Sequence, residues 1–407
     1  MNASTVETTV SQRFYWIDYL RSLNIIATVI FHSFLAYSAY LKNLGNTFIA
    51  SYPMLDPNTS LRVADLLLLL RPLFSMPLMF YLSGLFVWRG IKKRGSIGYL
   101  RYRFIRLIIP LIIATLLIMP LTFAPMAIIL KNAMFPTSVN QIFQILLPSD
   151  YHLAHLWFLW VLFAFDCIAI VMYKLWSIKL EHKWMCITSQ NIYVTLTISV
   201  AITYLLMADI AGNSGWLNIA GPLDIPASRI GLYLIYFFLG VLMGSQALSD
   251  DVKKYNIFCI TASSKPSIPI GLIAIITTCC FAYAQIKVHT ISNLVGTEIA
   301  MIMINSLNSI SGMLLVMAVI LAAKKHLTQK SRWLDILNKD AYGIYIIHFL
   351  FVAWFQYLLI DIAIPGEYKP VITTFFSIPL SWLISDGIRK IVNYLFFLKE
   401  IQPDYRI

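Results

Sequence analysis

The first apolar stretch contains an aspartate, an arginine and a histidine, which are residue types that a group-transfer reaction needs. Arg21 and His32 are eleven positions apart, so on an α-helix they share one stripe, roughly 16 Å apart along the axis. Asp18 lies three residues before Arg21 and can pair with it. A guanidinium suits phosphate or carbonyl oxygens, and a neutral imidazole is a suitable general base for a hydroxyl. We therefore predict catalytic roles for these three residues; alternatively, Asp18 and Arg21 anchor the interface and His32 bonds a neighbouring helix.

A dense basic cluster follows the second apolar stretch. Residues 89–106 contain seven Lys or Arg residues, among them Arg101, Arg103 and Arg106. Guanidinium groups bind phosphates strongly, so these three arginines are candidates for holding a phosphorylated cofactor. The alternative is that the cluster only keeps a loop on the cytoplasmic side of a membrane.

Further polar and aromatic residues lie at positions where they can reach the same region. Ser83 offers a hydroxyl beside Gly84 and is a candidate for contacting the cofactor, although small residues more often serve helix packing. His155 and Trp157 open one apolar stretch, and Tyr345 and His348 share a face of another; we predict that these four residues contact a substrate. For Trp157 the alternative is an interfacial anchor, and for His348 it is a bond to a buried partner. No metal is expected, because Asp150, His152 and His155 lack a second ligand cluster.

The elements that position these residues follow from composition. Of 407 residues, 59% are hydrophobic and 12% are charged, which excludes an ordinary soluble globule and a disordered chain. At about 20 residues per crossing, the sequence predicts an all-α polytopic membrane protein of about ten transmembrane helices. We expect the first to be a retained anchor and the chain to form one membrane domain over 1–407, with no separate soluble domain. The predicted spans are 16–40, 64–88, 105–130, 155–174, 191–209, 229–247, 268–288, 297–322, 342–362 and 371–397.

Basic residues predict the orientation of the chain. With both termini cytoplasmic, 23 Lys and Arg residues fall in inside segments and 5 in outside loops. This placement explains the net charge of +12 without a nucleic-acid partner. The outside segments at about 41–63, 131–154 and 210–228 are predicted to form turns and short caps. Arg21 then lies near the cytoplasmic end of the first span, and His32 more than halfway to the outer side.

Five segments, in this order along the chain, resemble the acyltransferase 3 family of integral-membrane acyltransferases. They are the Arg21/His32 pair, FYLSG at 80–84, YLRYRFIRL at 99–107, HLWFL at 155–159 and YGIYIIH at 342–348. The resemblance implies that His32 is catalytic and that Arg21 lies with the acyl donor. It also implies that Arg103 and Arg106 bind acyl-coenzyme A (acyl-CoA) on the cytoplasmic side.

The resemblance implies an acyl-CoA-dependent O-acyltransferase in the bacterial inner membrane, with no metal. The acceptor would be a hydroxyl of an extracytoplasmic carbohydrate, and transfer would be direct or through an acyl-histidine. Within the family the chain looks most like the periplasmic glucan biosynthesis protein C branch, which succinylates glucans; acetylation of a surface polysaccharide is the neighbouring expectation. The charged end of a succinyl group would need a cation, supplied by Arg71, by Arg229 or by neither. Glycan-synthesis proteins are possible partners, and the oligomeric state stays open. The alternative to an enzyme is a transporter or exporter of a glycan or its precursor.

Overall fold

The fold is that of a helical membrane protein, seen in a computed structural model that describes residues 14–43, 55–130, 153–176, 216–220, 223–247 and 268–401. The α-helices are α1 (Tyr15–Leu35), α2 (Ala39–Asn43), α3 (Arg62–Gly84), α4 (Val87–Arg103), α5 (Ile109–Ile113), α6 (Met119–Leu130), α7 (Trp157–Trp176), α8 (Ala227–Ala247), α9 (Ile268–Ile286), α10 (Val288–Val295), α11 (Thr297–His326), α12 (Arg332–Leu359) and α13 (Tyr368–Ile401). Two π-helical turns, Phe104–Ile108 and Ala114–Ile118, flank α5, and a 3₁₀ turn, Ala154–Leu156, precedes α7.

The described helices confirm the all-α polytopic class. Seven of them, counting 87–125 as one, are long and apolar enough to cross a membrane, and the bent pair α9–α10 makes up to eight. Many of their large apolar side chains are exposed, for example Leu116, Ile275 and Phe375, as expected where lipid rather than water surrounds the protein. Helix α1, in the predicted span 16–40, is not among these seven, and the predicted span at 191–209 lies outside the described residues. The count of ten and the position of the termini stay predictions.

The basic cluster at 89–106 is helical, so the prediction of a loop there was wrong. α4 runs through it and continues through the two π-helical turns to residue 125. Gly95 bends α4, since its φ of 70° and ψ of 167° are open mainly to glycine. The basic residues therefore lie on a helix that leads into the membrane span, and Pro110 is accommodated at the start of α5.

α1 is the central helix of the bundle and contacts α3, α11, α12 and α13. α3 in turn packs closely on α8, where a Cβ at Gly84 would overlap the carbonyl oxygen of Phe237 and one at Gly240 that of Tyr81. The glycine of the FYLSG segment thus serves helix packing. α12 is joined to α13 by the ion pair of Asp340 Oδ1 with Arg389 Nε, at 2.6 Å.

The end of the bundle predicted to face outward carries short ordered connections. The expectation of turns and caps holds for residues 55–61 but was wrong for part of 210–228, where β1 (Trp216–Ala220) pairs antiparallel with β2 (Leu223–Pro226). Lys369 Nζ lies 2.9 Å from buried Asp56 Oδ2 and binds the 55–61 segment to α13. Asp56 Oδ1 also accepts from the backbone N–H groups of Asn58 and Thr59, at 2.7 and 3.1 Å.

Candidate active site

Three buried histidines from different parts of the chain meet inside the bundle. His32 comes from α1, His155 from the 3₁₀ turn before α7, and His348 from α12. Their ring centroids are separated by 6.3 Å (His32–His155), 5.5 Å (His32–His348) and 4.7 Å (His155–His348). The exposed fractions are only 6%, 2% and 0%, so the cluster is shielded from the surroundings of the protein. The chain thus brings together three of the residues for which the sequence predicts catalysis or substrate contact.

Several ring nitrogens of this cluster have no hydrogen-bond partner in the structure. They are Nδ1 of His32, Nε2 of His348 and both ring nitrogens of His155. Buried polar atoms are normally paired, so four such nitrogens in one place indicate groups available to a bound molecule. His348 Nδ1 lies 2.8 Å from the carbonyl oxygen of Tyr345 and 3.1 Å from that of Ile344. Because carbonyl oxygens only accept, Nδ1 carries the hydrogen and Nε2 of the neutral ring carries a lone pair.

Polar contacts from α12 hold the backbone of the other two histidines. The Tyr345 hydroxyl donates to the carbonyl oxygen of His155, and Gln356 Nε2 donates to that of His32 at 2.9 Å. Ala154, just before His155, has a φ of 46°, which is unfavourable for a residue with a Cβ. Strained backbone of this kind is found at functional sites, where the surrounding contacts enforce it.

Phe349 forms an apolar wall of the cluster. Its ring centroid lies 4.8 Å from that of His32 and 5.0 Å from that of His155. Trp157 lies behind this layer, 5.7 Å from Tyr233 and 6.2 Å from Phe80 between ring centroids. Trp157 is 5% exposed and so belongs to the packed core, whereas an interfacial anchor would be exposed at the lipid–water boundary.

The second part of the site is a group of arginines towards the other end of α1. Asp18, Arg103 and Arg106 are the charged groups whose fields act on Arg21, and the Arg21 guanidinium carbon lies 5.6 Å from the ring centroid of Phe86. Arg106 Nη1 donates to the Tyr102 hydroxyl at 2.6 Å. Arg106 is exposed and has no carboxylate partner among the described residues.

Arg103 differs from its neighbours because an internal acid neutralises it. Its Nε lies 2.5 Å from Oδ2 of Asp166, which is fully buried, and the Tyr99 hydroxyl donates to Asp166 Oδ1 at 2.9 Å. Arg101 is exposed, without a side-chain partner among the described residues, and Ser83 is half-buried near the same end. Of the three arginines expected to bind a cofactor, Arg106 is the one that faces Arg21 with its charge uncompensated.

One face of α12 connects the arginines to the histidines. The Tyr342 hydroxyl donates to the carbonyl oxygen of Arg106 at 2.6 Å, Tyr345 donates to that of His155, and His348 joins the cluster. These three residues recur at every third position, so they form a row spanning about 9 Å along the helix axis. A molecule bound along this row would contact the arginines at one end and the histidines at the other.

The described residues contain no candidate metal site. Among the described residues, no group of three His, Cys, Asp or Glu side chains is arranged to hold a metal ion. His152 and Asp150, weighed as possible ligands from the sequence, lie outside the described residues.

Sequence reasoning missed several residues that shape the site. Asn24 is a buried polar residue next to the cluster, Gln356 Nε2 donates to the carbonyl oxygen of His32, and Phe349 encloses the rings. Arg71, which the sequence offered as one candidate cation for a succinyl carboxylate, is buried in α3 and bonded to Asn24.

A bundle of membrane helices with a buried histidine cluster and a cationic end is the arrangement expected of a membrane transferase. Residues 14–389 match the sequence model of a protein family, Acyl_transf_3, which is described as an acyltransferase domain. This match covers nearly the whole chain, and the protein therefore belongs to that family of membrane acyltransferases. No match was found among curated proteins or among solved structures.

Proposed function

We propose that the protein is an O-acyltransferase that takes its acyl group from cytoplasmic acyl-CoA and transfers it to a hydroxyl of an extracytoplasmic carbohydrate. The observation that carries the proposal is the row on α12, which links Arg106, without a carboxylate partner among the described residues, to three histidines with unpaired nitrogens; Arg21 lies beside Arg106. Family membership supports acyl transfer, and the two ends of the row support the choice of donor and acceptor.

The arginine end suits the donor. Coenzyme A carries phosphates at one end and a thioester at the other, joined by a narrow flexible arm. The guanidinium groups of Arg21 and Arg106 would bind the phosphates, since arginine forms strong charge-assisted bonds to phosphate oxygens. The arm would then lie along Tyr342 and Tyr345 and bring the thioester carbonyl to the histidines. The excess of Lys and Arg in the segments expected inside supports entry from the cytoplasm.

The histidine end suits the reaction. His32 would accept the proton of the acceptor hydroxyl while the hydroxyl oxygen attacks the thioester carbon. The carbon–sulfur bond then breaks, the ester remains on the acceptor, and the thiolate takes the proton back from His32 and leaves as coenzyme A. In neutral His155 one unpaired ring nitrogen carries a hydrogen, which can be donated to the oxyanion of the tetrahedral intermediate.

The acceptor would reach the site from the opposite side of the membrane. His32 lies three residues before the end of α1 at Leu35, about 4.5 Å along the axis. The connection at 55–61, which the buried Asp56–Lys369 ion pair joins to α13, adjoins this end of α1. A carbohydrate acceptor fits this side, and the inner membrane of a bacterium provides cytoplasmic acyl-CoA on one face and periplasmic glycans on the other.

Direct binding of acyl-CoA tests the proposal. Purified protein in detergent is titrated with radiolabelled acetyl-CoA and succinyl-CoA, and release of coenzyme A thiol is measured in parallel with a glucan oligosaccharide added as the acceptor. We expect saturable binding that is weakened about tenfold or more in Arg106→Ala, through the loss of charge-assisted bonds, and retained in His32→Ala, which should release no thiol. Arg101→Ala is the matched control, since Arg101 is equally exposed on the same helix. Failure of folded wild-type protein to bind any acyl-CoA would overturn the proposed donor and favour a transport function.

A further inference from the structure

Arg71 is a buried cation inside the membrane bundle that the mechanism above does not use. It lies in the middle of α3 and is 7% exposed. Its Nη1 donates to Asn24 Oδ1 at 2.9 Å, and its Nη2 donates to the carbonyl oxygen of Asn24 at 2.6 Å and to Thr28 Oγ1 at 2.9 Å. Ser75 completes the group by donating to Asn24 Oδ1 at 3.2 Å. All of these partners are on α1 or α3.

The charge of Arg71 is left without an opposite charge. Every partner is a neutral oxygen, and no carboxylate of the described residues forms an ion pair with it. A guanidinium has five N–H donors, of which three are used here, and Nε has no partner although it is buried. A buried charge is normally paired, so Arg71 has both the charge and the free donors to bind an anion.

Arg71 is close to the reacting groups. Thr28, which it contacts, is one helical turn before His32, about 6 Å along α1. Helical side chains lean towards the N-terminus, so the His32 ring extends over the turn that contains Thr28. The positive charge of Arg71 is near enough to act on the His32 imidazole.

α11, which packs against both α1 and α3, carries a buried polar group without a partner. α11 approaches α3 so closely that a Cβ at Gly312 would lie 2.7 Å from the carbonyl oxygen of Leu73. The neighbouring Ser311 is fully buried, and its hydroxyl has no partner in the structure.

We propose that Arg71 binds the terminal carboxylate of a dicarboxylic acyl group, such as succinyl, while the thioester carbonyl of the donor lies at His32. This inference rests on the proposed function, since it requires an acyl donor at the histidines. A four-carbon diacid chain is short enough to join a carbonyl at His32 to a guanidinium about one helical turn away. A single buried cation with two free donors matches one carboxylate, whereas the phosphates of the donor find their partners at Arg21 and Arg106.

The experiment compares three donors in one binding assay. They are succinyl-CoA, acetyl-CoA and 4-methylpentanoyl-CoA, a neutral donor in which two methyl groups replace the carboxylate oxygens. We expect wild-type protein to bind succinyl-CoA about 10- to 100-fold more tightly than the neutral analogue, as for hydrogen bonds to a charged group. Arg71→Gln should remove this preference and leave acetyl-CoA binding unchanged. Arg229→Gln is the matched control and should keep the preference.

The outcomes separate this inference from the proposed function. Equal binding of succinyl-CoA and the neutral analogue by wild-type protein refutes the role of Arg71 and leaves the acyltransferase proposal intact. Parallel weakening of all three donors in folded Arg71→Gln also refutes it, since Arg71 would then only join α1 to α3. Binding of none of the donors by wild-type protein refutes the proposed function itself. If Arg71→Gln does not fold, the wild-type comparison still decides.

Discussion

Tyr342 makes a hydrogen bond at the arginine end of the proposed site, and Tyr345 makes an equivalent one at the histidine end. Substituting each tyrosine therefore tests whether the arginine end binds acyl-CoA while the histidine end carries out the reaction. Each hydroxyl donates to a backbone carbonyl, that of His155 for Tyr345 and that of Arg106 for Tyr342. Replacement by Phe removes only the oxygen and keeps the ring. We predict that Tyr345→Phe lowers turnover without changing the affinity for acyl-CoA, and that Tyr342→Phe does the reverse.

The size of the Tyr345 effect follows from the geometry around His155. Leaving a buried acceptor unpaired costs about 1–3 kcal/mol. The φ of 46° at Ala154 costs a similar amount, on the order of 1–3 kcal/mol, and is held by the surrounding contacts. Because the two energies are comparable, loss of the bond lets the 3₁₀ turn relax and moves the His155 ring. At 1.36 kcal/mol per tenfold, turnover should fall about 10- to 100-fold.

The assay is release of coenzyme A thiol over a range of acyl-CoA concentrations, with binding measured separately. Tyr342→Phe should weaken apparent affinity about three- to tenfold, because one hydrogen bond near Arg106 is lost, and should leave turnover at saturation unchanged. Equal losses of affinity and turnover in both variants would refute the reasoning, since the row on α12 would then only support the fold. Unchanged turnover in Tyr345→Phe would show that the position of His155 does not matter to the reaction.

Three further predictions concern single residues. His32→Ala should abolish thiol release while binding of acyl-CoA persists, and residual turnover above a few per cent would remove His32 as the base. Arg21→Lys should weaken donor binding about tenfold, because an ammonium cannot reproduce the planar guanidinium; a Lys variant that binds as well as wild type would mean that a point charge suffices. Asp166→Asn should destabilise the protein by about 3–5 kcal/mol, since it leaves the charge of Arg103 uncompensated, and a thermal unfolding scan in detergent should show it. Lys390→Gln, which removes only the exposed partner of Asp386, should leave the unfolding temperature nearly unchanged and serves as the control.

Residue spacing predicted those parts of the site that lie on one helix. Arg21 and His32 share the helix α1, and Tyr345 and His348 share a face of α12, because helical periodicity alone decides these relations. Composition and hydropathy likewise predicted the all-α membrane class. The family resemblance identified the segments that meet in the structure. Residue spacing could not predict that the rings of His155 and His348 lie 4.7 Å apart, because that distance depends on how the helices pack.

The missed features are of a different kind. The loop expected at 89–106 is a helix because a basic, amphipathic stretch can continue as α4 into the next span, which charge counting does not distinguish from a loop. The ion pair of Arg103 with Asp166 joins residues 63 positions apart, and the contact of Arg71 with Asn24 joins residues 47 apart. Such pairings follow from tertiary packing and leave no periodic signal in the chain.

Four arginines of the bundle fall into two groups according to whether a carboxylate neutralises them. Arg103 is neutralised by Asp166, and Arg389 by Asp340, so their charges are compensated within the protein and their role is to join helices. Arg71 and Arg106 have no carboxylate partner among the described residues, although an uncompensated charge in or near the bilayer is costly. Binding of an anion would offset this energetic cost. An acyl-CoA with a dicarboxylic acyl group carries anions at both of its ends; Arg106 would bind the phosphates, and Arg71, which contacts α1 one turn before His32, would bind the terminal carboxylate. An acetyl donor would satisfy Arg106 and leave Arg71 uncompensated in every step of the reaction.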